Sequence, residues 1–195
     1  VDTSGENNIL LYPGANHKNT QEAIGAALSQ ANAGDWLLMQ NETNNQSYAA
    51  ATAKTLGLSV GYAAAPFDAQ AVQAVMGSLD LLILNAVEAE QLHQATGHSP
   101  AQLPVRDIIV TLGAEGCLWY GIEGQQQFEA IAVEPVDTTG AGDTFTGYVL
   151  AGLDRGMPMA QAISLGIKAA GLMVTRLGTA DVIPDLKDLQ DAQLI

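Results

Sequence analysis

The sequence predicts an α/β fold in three layers, αβα, with a mostly parallel sheet at its centre. Two observations predict it. Several short runs are apolar throughout rather than alternating, which marks strands buried on both faces. Those runs also alternate with stretches of helical length and periodicity, the order that builds a parallel sheet with helices across it. The chain has 195 residues, 48% of them hydrophobic. That is enough for one domain with a sizeable core.

Taken in order, residues 9–12 read as a buried strand that stops at the turn pair Pro13-Gly14. Asn19 and Glu22 have capping-box spacing ahead of a helix with apolar residues at Ala23, Ile24, Ala27, Leu28 and Ala31, closed by Gly34. Residues 36–39 are the next strand, followed by Gln40-Asn41-Glu42. An Ala-rich helix is expected over 46–56, a strand over 58–62, a short helix near 69–76 and an apolar strand over 79–84. Asn85-Ala86-Val87-Glu88 then opens a helix over 86–96; by spacing alone it is a cap with its capping-box Glu. A loop with two prolines leads to a strand over 106–111, a glycine turn and a strand over 117–120. An extended stretch runs from 125 to Pro135. A helix follows the turn at Gly140, another covers about 159–175, and a modest surface helix follows Pro184.

Composition excludes several classes. Net charge is −14 with seven Lys plus Arg, the opposite of the basic footprint that nucleic acid requires. No apolar run approaches the roughly 20 residues of a membrane span. No signal-peptide pattern stands at the start. The single cysteine, Cys117, excludes an internal disulfide and suits a reducing cytoplasm. His17, His93 and His98 are scattered, without zinc-ligand spacing. Neither G-x-S-x-G nor a Walker P-loop is present.

The stretch Asp137-Thr138-Thr139-Gly140-Ala141-Gly142-Asp143 carries the most chemistry. Two glycines at a helix start let a ligand approach unpaired N–H groups at the positive end of the dipole. A carboxylate there is placed to take a proton from a hydroxyl. A glycine turn with Asp143 as a helix cap fits the same spacing.

This segment resembles the D-T-x-G-A-G-D signature of the ribokinase (phosphofructokinase-B) sugar kinases. Gly5-Glu6-Asn7 and Gly14-Ala15-Asn16, Gln40-Asn41-Glu42, Asn85–Glu88, Thr111–Gly116 and Arg176–Ala180 resemble further motifs of that family, in family order. The resemblance implies a ribokinase-like fold and ATP-dependent phosphorylation of a primary sugar hydroxyl, with D-ribose as the expected sugar. Other sugars, nucleosides, or a non-catalytic domain of the same fold are the alternatives. Asp143 would be the base, and Gly140, Ala141 and Gly142 the anion hole. Glu6 would bind the sugar. Asn85, Thr111, Leu112, Gly113, Ala114, Glu115, Gly116, Gly142 and Ile167 would bind ATP. Glu88 would hold Mg²⁺ through water. Asp137, Thr139, Met173, Arg176, Gly178 and Val182 would surround a monovalent cation, K⁺. Many relatives carry Lys or Arg where Glu115 stands, so either Glu115 points away from phosphate or phosphate binding is weaker.

The chain begins at Val1. The family's early strands, its lid and an N-terminal sugar-binding Asp are not seen in it. A truncated kinase domain spanning 1–195 is the expectation, inactive alone and homodimeric when full length.

Overall fold

The computed structural model describes residues 12–195. Glu6, and all but the last residue of the strand expected at 9–12, lie outside them. Four strands run parallel in chain order: β1 (Trp36–Gln40), β2 (Ser59–Ala63), β3 (Leu81–Asn85) and β4 (Asp107–Thr111). The antiparallel strands β5 (Cys117–Gly121) and β6 (Gly124–Phe128) extend the sheet beyond β4. The helices are α1 (Gln21–Leu28), α2 (Gln46–Thr55), α3 (Ala69–Val75), α4 (Ala86–Thr96), α5 (Ala141–Asp154), α6 (Met159–Met173) and α7 (Leu186–Asp191).

The apolar strands serve two cores because side chains alternate across a sheet. On one face, Leu82 and Leu84 of β3 and Ile108 and Val110 of β4 pack with Leu28, Ala50, Val72 and Leu92 of α1–α4. On the other, Leu81, Ile83 and Ile109 pack with Phe145, Val149 and Leu150 of α5 and Ile163 of α6. This is the expected three-layer αβα arrangement. A Cβ at Gly166 would sit 3.0 Å from the Phe145 carbonyl, so glycine there lets α6 lie close on α5. Cys117 is buried in the second core, and burial pushes its thiol up to about 11.

Three local expectations change. The cap of α1 is Thr20, whose hydroxyl accepts from Ala23 N at 3.1 Å, rather than Asn19. Asn19 is instead tied to the loop after β1, where the Asn44 and Asn45 amides donate to its carbonyl. That helix ends at Leu28, well before Gly34, whose N–H donates to Gly57 in a later turn. The extended stretch pairs only as far as Phe128. Residues 129–135 leave the sheet, and Pro135 has no N–H to offer a strand partner. The last helix, α7, is the surface helix expected, exposed along most of its length and anchored inward. Leu189 is fully buried, Arg176 reaches Asp188 at 3.2 Å, and the Tyr148 hydroxyl donates to the Pro184 carbonyl just before α7.

Candidate functional site

The carboxyl ends of the parallel strands face one side, the position where open α/β sheets place their ligands. Three features meet there: the starts of α4 and α5, the turn after β4, and a cleft between that turn and α6.

α5 begins at Gly140, which has φ 83° and ψ 3°, a left-handed conformation that only glycine adopts without strain. No side chain caps this helix. Ala141 N–H donates to Thr138 O at 3.2 Å, so the turn itself uses one of the anion-hole donors expected from sequence. Gly142 and Asp143 lie in the first turn, where intrahelical acceptors do not exist. Asp143 is exposed, and its Oδ1 accepts from the Gln40 side-chain amide at 2.9 Å. Gln40 ends β1, 103 residues earlier. The sequence marked it only as the first member of the Gln-x-Glu element. The third member, Glu42, stays exposed. The hydroxyl of Thr144, 2% exposed, has no hydrogen-bond partner among the described residues.

α4 begins with a closed capping box. Asn85 Oδ1 accepts from Glu88 N at 2.8 Å, and Glu88 Oε2 accepts from Asn85 N at 2.8 Å. Burial pushes the Glu88 carboxyl above its usual range, and the Asn85 N–H partly offsets this. Among the described residues no three His, Cys, Asp or Glu side chains gather. Hydrated Mg²⁺ needs only a carboxylate nearby, and Glu88 fits that modest demand.

A cleft of about 350 Å³ lies beside α5. Thr111, Gly113, Ala114 and Gly116 of the turn after β4 form one side, and Ala141 and Gly142 lie at the helix start. Ile167 of α6 and the segment 130–133 complete an apolar interior. The structure therefore brings together most of the sequence-derived nucleotide set. Leu112 and Glu115 share that turn without lining the cleft, and Glu115 is exposed. The 130–133 wall was missed because nothing in its composition separates it from a strand.

Asp137 leads into α5. Its carboxyl is held below the usual range, first by the Thr139 N–H, which donates to Oδ1 at 2.9 Å, then by the Thr139 hydroxyl and the Gly178 backbone. Asp137, Thr139 and Gly178 thus lie together. The Met173 carbonyl accepts from Arg176 N at 3.0 Å, and the Val182 carbonyl accepts from the Arg176 guanidinium at 3.2 Å. The Asp137 side fits a cation; at Val182 a cation has to share the carbonyl with Arg176.

A family model described as pfkB family carbohydrate kinase matches residues 1–186. The chain belongs to this family. Ribokinase from Staphylococcus aureus is 29% identical over 202 residues, which cover 97% of this chain and 66% of that protein. The crystal structure of ribokinase from Thermotoga maritima superposes with a TM-score of 0.84 at 31% identity, covering 98% of this chain and 66% of that one. Aminoimidazole riboside kinase from Salmonella typhimurium is 37% identical over 111 residues, 50% of this chain and 35% of that protein. The chain spans just under two thirds of the length of the ribokinases it matches. No helix among the described residues is long and apolar enough to cross a membrane.

Proposed function

We propose that this chain is the nucleotide-binding and base-bearing part of an ATP-dependent sugar kinase, with D-ribose as acceptor. The observation that carries the reading is the uncapped start of α5, where Gly142 lines the cleft and Asp143 follows it. The γ-phosphoryl group lies against the first-turn N–H groups, which stabilise the charge that develops on its oxygens. The Asp143 carboxylate accepts the proton of the primary hydroxyl as that oxygen bonds to phosphorus and ADP departs. The adenine packs between Ile167 and the 130–133 wall, with the turn after β4 along the phosphates. Asn85 faces the phosphates. Mg²⁺ near Glu88 and K⁺ beside Asp137 and Thr139, when bound, supply further positive charge at the transferring group.

The likeness to ribokinases over nearly the whole chain supports ribose. The riboside kinase match over half of it favours a riboside as the second acceptor to test. The complete enzyme is a cytoplasmic homodimer in this reading, and the 195-residue chain alone binds nucleotide with little turnover.

The deciding experiment replaces Asp143 by Asn. It is run on the chain completed with the N-terminal third of a ribokinase relative. Sugar-dependent ADP formation should fall by about 10²–10⁴-fold, the usual worth of a general base, while calorimetric ATP–Mg²⁺ binding stays as in the parent. Surviving turnover rejects Asp143 as the base. Equal rates in potassium and in a large organic cation reject the cation site.

A further inference from the structure

The Gln40–Asp143 contact joins the end of an edge strand to the first turn of a helix on the far side of the chain order. Asp143 is exposed and otherwise has two free carboxylate oxygens to present in several rotamers. Gln40 limits that freedom. Its amide donates to Oδ1 at 2.9 Å, a charge-assisted bond of the stronger kind.

Gln40 is itself held. Its carbonyl accepts from Gln46 Nε2 at 2.8 Å, and the same amide donates to the Thr43 carbonyl at 3.1 Å. Gln46 is fixed in turn by the Tyr62 hydroxyl, which donates to Gln46 Oε1 at 2.9 Å. Tyr62 is 1% exposed in the core under β2, and burial pushes its phenol up to about 12, so it remains a donor. On the next residue, Asn41 N donates to Ala65 O and the Asn41 amide to Pro66 O. These bonds hold the Gln40 backbone to a buried phenol, and from that fixed point the Gln40 side-chain amide reaches the exposed carboxylate. Such an arrangement fixes geometry more than it adds stability, because its last link is open to water.

We propose that Gln40 is a positioning residue that holds Oδ1 of Asp143 and leaves Oδ2 as the oxygen that receives the hydroxyl proton. The inference rests on the reading of Asp143 as the base. Glutamine suits the task because it donates without competing for the proton. Glutamate at the same length would turn an attraction into a repulsion.

The test compares Gln40→Ala and Gln40→Glu. In the 195-residue chain, NMR side-chain couplings report the Asp143 rotamer, and a thermal midpoint checks the fold. The wild type should show one dominant rotamer. Gln40→Ala should show averaging and Gln40→Glu a switch away from the native rotamer, with the midpoint unchanged. In the completed enzyme, kcat should fall about tenfold in Gln40→Ala and about a hundredfold in Gln40→Glu, the scale of a misplaced reacting group. KM for the sugar should hold. A merely structural role predicts the reverse order, since glutamate preserves shape. An Asp143 rotamer that ignores both variants overturns the proposal. So does a Gln40→Glu enzyme with wild-type kcat when Asp143→Asn is inactive. If Asp143→Asn stays active, the reading of Asp143 as the base fails instead, and the NMR alone judges the pairing.

Discussion

The starts of α4 and α5 are built on one plan and end in opposite states. From N-cap to third helical residue, one reads Asn85-Ala86-Val87-Glu88 and the other Gly140-Ala141-Gly142-Asp143. Both place an acid at the third position, where the helix dipole favours it. In α4 the asparagine and glutamate satisfy each other's backbone, and the Val87 side chain stands exposed in front of the turn. In α5 glycine at the cap offers no side chain, glycine at the second position leaves the approach open, and the acid turns outward to Gln40. A helix start becomes available to a ligand when local residues leave it unclosed. Stability is then supplied elsewhere, here by Phe145 and Val149 in the core below.

The largest test of this contrast makes α5 resemble α4. Gly142 has no heavy atom within 4 Å of a would-be Cβ, so the side chain of Gly142→Val starts in open space. Glycine is a poor helix former, so stability should hold or rise. ATP–Mg²⁺ binding should weaken by about tenfold or more, about 1.4 kcal/mol of lost approach, as calorimetry on the 195-residue chain would show. Undiminished binding would remove the α5 start from the nucleotide site.

The converse change opens α4. Asn85→Ala should cost about 1 kcal/mol in chemical denaturation, the usual worth of a side-chain cap. A much smaller loss would mean that the α4 capping box is idle and that the contrast is one of sequence only.

The smallest effect is in pH dependence, where two carboxylates act with opposite sign. The folded state raises the Glu88 pKa. Its contribution to stability is therefore present below the unfolded value and is lost as pH rises through the folded one. The folded state lowers the Asp137 pKa. Its contribution is present above the unfolded value and is lost as pH falls through the folded one. In acid denaturation profiles, Asp137→Asn should flatten the loss at low pH. Glu88→Gln, whose carbonyl can still accept from Asn85 N–H, should flatten the decline on the rising side. Profiles that match the parent would show that neither carboxylate feels the environment described.

Much of this was readable beforehand. The apolar runs of β3 and β4 announced a buried parallel sheet, and Asn85–Glu88 announced a cap, because both signals are local. Gly140 and Gly142 announced an open helix start for the same reason. The errors were equally instructive. Thr20 rather than Asn19 caps α1 because Asn19 is taken by Asn44 and Asn45 across a loop. Residues 130–133 look extended but line a cleft, because strand β6 ends at Phe128.

By itself, then, the sequence determined the three-layer class, the strand and helix order, the family signature and the residues at each helix start. Periodicity, capping and backbone permissiveness act within a few residues of one another. The tertiary structure was needed to show that Gln40 meets Asp143 and that residues 130–133 line the cleft opposite Thr111–Gly116. Those neighbours depend on how β1, β4, α5 and α6 stack around the sheet, and that geometry comes from packing two cores at once.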